Sequence, residues 1–168
     1  MTALETGTDP TLDRLADAIL IPPFPGVSAP AWILQALGRG LAGVTLFGPN
    51  IAAPDQVTAL TAALRAAGAP ADPVIAIDEE GGDVTRVAYA DGSPYPGNAA
   101  LGAVDDTTLT RAVYQAIGAD LAALGINFDL APNERVPTAG LSAVPSTSAH
   151  GARSKLIPSA ARSAPIAW

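Results

Sequence analysis

Residues 74–96 read VIAIDEEGGDVTRVAYADGSPYP and hold most of the groups in this chain that could do chemistry. The apolar run Val74-Ile75-Ala76-Ile77 ends abruptly in Asp78-Glu79-Glu80-Gly81-Gly82, and Asp83 and Arg86 follow. A short apolar run bounded by polar residues and glycine predicts a buried strand. Carboxylates at the C-terminal end of such a strand stand where α/β proteins place ligands. The cluster could also hold Mg²⁺ or Ca²⁺ through oxygen ligands, although its spacing matches no EF-hand loop. A solvated loop with Arg86 in a surface ion pair is the plain alternative.

The elements that would position these groups follow from periodicity. Leu12, Leu15, Ala16 and Ile19 have helical spacing behind Asp9 and Pro10, good helix-start residues. Ile19-Leu20-Ile21 reads as a short strand running into Pro22-Pro23-Phe24-Pro25-Gly26. Ser28 and Pro30 open a second helix with Ile33, Leu34 and Leu37 on one face, stopped by Gly38 and Gly40. Val44-Thr45-Leu46-Phe47 is a strand closed by Gly48-Pro49-Asn50. Pro54 opens a third helix, with Val57, Leu60 and Leu64 inward and Gly68 at its end.

The best helical pattern covers about 105–124, where Leu109, Ala112, Val113, Ala116, Ile117, Leu121 and Leu124 form one stripe. Asp105 and Asp106 favour its N-terminus, and Gly125 suits its end. Residues 126–130, INFDL, read as the next strand. Strands alternating with helices predict an α/β fold with a parallel sheet.

Bulk properties narrow the class. At 168 residues, 49% hydrophobic and 15% charged, the sequence suits a globular domain with a real core. A net charge of −7 argues against nucleic acid as the main partner. The absence of cysteine excludes disulfides and thiolate zinc sites. The acidic start lacks a basic region followed by an apolar core, and no run of 18 apolar residues occurs. A cytoplasmic protein with no membrane partner is therefore expected.

The composition changes at about Pro132. Residues 1–132 carry fifteen Asp/Glu and five Arg, whereas 133–168 carry one Glu against Arg135, Arg153, Lys155 and Arg162. The last 36 residues hold eight Ala, six Ser and four Pro, with neither a helical stripe nor a useful strand alternation. We expect residues 1–132 to be the folded part and 133–168 an irregular, disordered tail. The only histidine, His150, lies in that tail and reads as an exposed loop residue. Trp32 sits on the second helix and reads as a packing residue.

GVTLFGPNI, then VIAIDEEGGDVTRV, then a turn with Pro96, then GADLAALGINFDLAP, stand in the order and spacing of glycoside hydrolase family 3. Over roughly residues 12–132 the chain resembles that family, and within it the bacterial β-N-acetylhexosaminidases. The resemblance implies the first half of a (β/α)₈ TIM-type barrel, hydrolysis of terminal β-linked sugars and a carbohydrate substrate, with no metal or other cofactor. It also implies that Asp78, in the IDxEGG motif, accepts hydrogen bonds from sugar hydroxyls, and that Arg86 donates to the same sugar. The chemistry agrees, because a carboxylate offers several acceptor positions to vicinal hydroxyls and a guanidinium offers a fork of donors. Gly81 and Gly82 would let the backbone turn sharply beside the ligand. Asp129 is expected to be structural.

The departures from the family matter as much. After the FDLAP-like block the chain reads NERVPTAGLSAVPSTSAHGARSK. Gly151-Ala152-Arg153-Ser154 looks like the family's next arginine segment but does not fit its spacing, and the KHFPGHG-like block, the acid/base loop and the late aspartate nucleophile are absent. The tail resembles a GC-rich gene read out of frame, so the family sequence is expected to be truncated or frameshifted after about residue 132. Retaining hydrolysis needs two carboxyl groups on opposite sides of the anomeric carbon. Asp78 and Glu80 would share one side of an extended strand end, so no catalytic residue is assigned. The chain is expected to be a catalytically deficient fragment with two open sheet edges; the alternative is a non-catalytic carbohydrate-binding or interaction module. A flavodoxin-like binding protein is disfavoured, since no glycine-rich phosphate loop follows the first strand.

Overall fold

The computed structural model describes residues 10–68, 71–131 and 155–156. Helices α1 (Pro10–Asp17) and α2 (Ala31–Arg39) precede strand β1 (Gly43–Thr45). Helix α3 (Pro54–Gly68), strand β2 (Val74–Ile77), helices α4 (Asn98–Val104) and α5 (Thr107–Ala123) and strand β3 (Phe128–Asp129) follow. A last strand, β4 (Lys155–Leu156), lies in the tail.

The sheet has the order β1-β2-β3-β4. The first three strands are parallel, with Val44 opposite Ile75 and Ile77 opposite Asp129. Together with the helices this makes an α/β fold, as the alternating pattern predicts. Side chains of Val44, Ile75, Ala76 and Ile77 are fully buried, so both faces of these strands are covered. That explains why β2 reads as a continuous apolar run rather than an alternation.

Helix α3 shows how sequence specifies packing here. Pro54 begins it and Val57, Leu60, Thr61 and Leu64 are buried at 3.6-residue spacing. The Thr61 hydroxyl donates to the Leu124 carbonyl at 2.8 Å. Gly125, at φ 79°, brings its backbone so close to Thr61 that a Cβ would stand 2.4 Å from the hydroxyl oxygen. A glycine is required there for both reasons. Asp106 caps α5 by accepting from the Thr108 and Leu109 amides, while Asp105 takes a left-handed conformation at the end of α4.

Several expectations change. Ile19-Leu20-Ile21 forms no strand; Thr45 donates to the Pro22 carbonyl through its amide and to the Ile21 carbonyl through its hydroxyl. Pro22 and Pro23 have no N–H to continue a ladder, so the segment lies along β1 without joining it. The apolar stripe of α1 is exposed, with Ile19 beyond it 80% accessible. Periodicity marks an apolar face but not what covers it. Trp32 is also exposed, at 51%, rather than packed. In α5 only Ile117 and Leu121 are buried, while Leu109 is exposed. Gly38 lies inside α2, and Gly40 at φ 112° ends it.

The sheet edges are not left bare. The Ile21–Pro22 segment bonds to β1 on one side, and β4 pairs antiparallel with β3 on the other, Lys155 opposite Asp129. The rest of the expected irregular tail, His150 included, lies outside the described residues. Among the described residues no helix is long and apolar enough to cross a membrane.

The polar centre of the β1–α3 connection is Asn50, which the sequence marks only as a turn residue. It is fully buried; its amide nitrogen donates to the Phe24 and Gly26 carbonyls and its carbonyl oxygen accepts from the Phe47 amide, each at 2.8 Å. Asn50→Ala leaves three backbone groups without partners. It should cost about 2–4 kcal/mol in urea denaturation, lowering the midpoint with the slope unchanged. A loss below about 1 kcal/mol would contradict this role.

Candidate functional site

β2 ends at Ile77, and the next three residues are all carboxylates that find different partners. Asp78 meets Arg86, with Nη2 3.2 Å from Oδ2. Glu79 is buried, 5% exposed, and its Oε2 accepts from the Arg86 amide at 2.7 Å and the Val87 amide at 3.2 Å. Glu80 accepts from Asn98 Nδ2 at 2.7 Å, and the Asn98 carbonyl oxygen accepts from the Tyr114 hydroxyl at 2.6 Å. Asp83 is exposed at the tip of the following turn. Asp78 and Glu80 therefore engage different partners, Arg86 and Asn98.

The loop after β2 is tightly tied. Gly81 and Gly82 have φ of 77° and 56°, and a Cβ on either would meet backbone of residues 95–97 at under 3 Å. The Gly82 amide donates to the Tyr95 carbonyl, and the Tyr95 hydroxyl donates to Asp120 on α5. The glycines thus serve close backbone packing as well as the turn. Burial and the hydrogen bond to Asp120 push the Tyr95 hydroxyl up to about 12.

From β3, Asp129 reaches into the same cluster. Its Oδ1 accepts from the amides of Glu79 and Ala131, each at 3.1 Å. Burial pushes its carboxyl up from 3.8 to about 6; the two amides oppose the shift, and the negative charges of Glu79 and Asp78 add to it. Burial is likewise the largest cause raising the Tyr114 hydroxyl to about 12. The four carboxylates coexist because backbone N–H groups, an amide side chain and one guanidinium each meet part of the charge.

The structure brings Asp78 and Arg86 together at the C-terminal ends of the parallel strands. The Leu46 amide bonds to the Ala76 carbonyl and the Leu130 amide to the Ile77 carbonyl, so the chain leaves β1, β2 and β3 at the same end. Arg86 also borders a cleft of about 650 Å³, lined among others by Phe47, Pro49, Ile51, Tyr89 and Asp91. Asp78 does not line that cleft. Asp129 is a buried acceptor for two backbone amides, and Asn98 and Tyr114 are members of the cluster that the sequence did not single out. Tyr114 lies on α5 beside the stripe residue Val113, and Asn98 follows Pro96-Gly97, a turn that leads directly into α4. No group of three or more metal-ligating side chains occurs among the described residues.

The chain is an α/β protein whose parallel strands end in carboxylates, one of them paired with a guanidinium. The chain belongs to the family described as the glycosyl hydrolase family 3 N-terminal domain, which matches residues 29–148. Beta-hexosaminidase A of Pseudoalteromonas piscicida is 36% identical over 100 residues, covering 55% of this chain and 17% of that protein. Beta-hexosaminidase of Stenotrophomonas maltophilia is 40% identical over 97 residues, covering 55% of this chain and 29% of that protein. A solved family 3 β-N-acetylglucosaminidase from Paenibacillus superposes with a TM-score of 0.65 at 35% identity, over 72% of this chain and 24% of the other. A β-N-acetylhexosaminidase from Beutenbergia cavernae gives 0.58 at 28% identity, over 72% and 37%. The chain thus spans less than a third of these curated relatives' length.

The electrostatics predict a pH effect. Folded Asp129 keeps its proton to about pH 6, whereas the unfolded group loses it near 3.8. Between these values the folded state binds more protons, so this group's contribution to stability falls as pH rises. Relative to Asp129→Asn, which does not titrate, the wild-type chain should lose on the order of 2 kcal/mol between pH 4 and 6.5 in denaturant melts. A difference independent of pH would contradict the buried placement of Asp129.

Proposed function

We propose that this chain carries the sugar-positioning part of a β-N-acetylhexosaminidase-type glycoside hydrolase, and that its 168 residues alone do not turn over substrate. In this reading Asp78 accepts from hydroxyls of a terminal β-linked sugar and Arg86 donates to the same ring. Residues 1–132 form the first half of a (β/α)₈ barrel, and 133–168 lie outside it. The carrying observation is the Asp78–Arg86 pair at the common end of three parallel strands.

The chemistry fits positioning rather than bond cleavage. Double displacement needs one carboxylate free to attack the anomeric carbon and another free to exchange a proton with the leaving oxygen. Here Glu79 and Asp129 are buried acceptors for backbone amides, and Glu80 accepts from Asn98. Asp78 and Arg86 keep 18% and 27% of their side-chain surface open to solvent. A partly exposed ion pair is worth about 0–1 kcal/mol, so sugar hydroxyls can compete for both groups.

Two assays test the proposal. The 168-residue chain and its Asp78→Ala variant should both hydrolyse an aryl β-N-acetylglucosaminide no faster than buffer. Turnover that disappears in the variant would overturn the deficiency. Residues 1–131 joined to the remaining barrel of the Paenibacillus enzyme should give an active chimera in which Asp78→Ala or Arg86→Ala lowers kcat/KM about 10–100-fold, the loss of a charged hydrogen bond. A chimera indifferent to both substitutions would remove the sugar-positioning roles.

A further inference from the structure

We infer that Glu79, which occupies the unspecified position of the IDxEGG motif, is the positioning residue that sets where Arg86 stands. The inference rests on reading Asp78 and Arg86 as the sugar-facing pair, and it concerns what holds that pair before sugar arrives. One oxygen, Glu79 Oε2, accepts two successive backbone amides, Arg86 at 2.7 Å and Val87 at 3.2 Å. These bonds close the segment between residue 79 and residue 86 upon itself. The Glu80 amide donates to the Val84 carbonyl inside the same segment, and Gly81 and Val84 form a bridge. The loop is therefore a small closed unit whose last residue is Arg86.

The Glu79 backbone is fixed in turn. Its amide donates to Asp129 Oδ1, and Asp129 belongs to β3. A continuous path thus runs from the sheet through Asp129 and Glu79 to the Arg86 backbone, and from the Arg86 guanidinium back to Asp78. The Asp78–Arg86 contact cannot supply this order by itself. It is a single contact at 3.2 Å between partly exposed side chains, and a long flexible arginine in such a pair is weakly held. The Glu79 carboxylate is buried, and leaving two amides unpaired beside it is the costlier change. Glu79 therefore fixes the backbone, which leaves the Asp78 and Arg86 side chains able to exchange each other for hydroxyl groups.

Amide hydrogen exchange on the 168-residue chain, read residue by residue by NMR, tests this. Glu79→Leu should speed exchange at Arg86 and Val87 about 10–100-fold, while the sheet amides of Leu46 and Val74 keep their wild-type rates. Glu79→Gln retains a carbonyl acceptor of the same reach and should restore both amides to within about threefold of wild type. Glu79→Met, which keeps side-chain length, provides the same reading should the leucine variant fail to fold. Asp78→Asn should leave the Arg86 and Val87 amides protected, which separates this inference from the sugar-facing role tested by the chimera. Unchanged rates at Arg86 and Val87 in the leucine or methionine variant would overturn it. So would acceleration shared equally by Leu46 and Val74, or a glutamine variant as fast as leucine.

Discussion

A buried carboxylate that accepts two backbone amides is the constraint on which the rest of this site depends. Glu79 stands one residue beyond the first strand-end residue, with little access to water. Its charge would be costly there without donors. The loop supplies them by folding back, and that fold places Arg86 beside Asp78. The same logic extends outward. Asp129 is satisfied by the Glu79 and Ala131 amides, Glu80 by Asn98, and Asn98 by Tyr114. Among the described residues no buried side-chain nitrogen or oxygen lacks a partner. Glu79, Glu80 and Asp129 thus each hold neighbouring groups in place, while the Asp78–Arg86 pair keeps access to solvent.

The apolar core makes that arrangement possible. Ile75 and Ile77 of β2 are buried with Val44 and Leu46 from the β1 side and Ile117, Leu121 and Ile126 from the α5–β3 side. Such a core fixes the register of β2 against β3, with Ile77 opposite Asp129. Register matters because a shift by one residue would exchange the faces of Asp129 and its neighbours. The parallel arrangement then carries the ends of β1, β2 and β3 to one side, where the family resemblance and the carboxylate cluster coincide.

Much of this was legible in the sequence. Pro54–Gly68 reads as a helix because proline, a 3.6-residue stripe and glycine agree, and VIAI reads as a strand because its burial on both faces leaves no polar position. Asp78 and Arg86 were legible through a motif rather than through spacing alone. Tertiary effects hid the rest. The apolar stripe of α1 predicts a covered face, yet Leu12 and Leu15 are exposed. Ile19–Ile21 has strand-forming residues, but the prolines after it deny the amides a ladder needs. The short helix α4 is built of Asn, Ala, Leu, Gly and Val without a clear stripe. The task of Glu79 depends on a loop returning seven residues later, which no periodicity records.

The central claim is that Arg86 is held against Asp78 in the absence of sugar. The direct measurement is the NMR signal of the Arg86 guanidinium in the ligand-free chain, compared with Asp78→Asn. The account predicts an Arg86 Nε–H signal displaced in the wild-type chain from its position in the variant, because the carboxylate stands beside the guanidinium even though the contact exchanges. An Arg86 signal that the substitution leaves unmoved would contradict it.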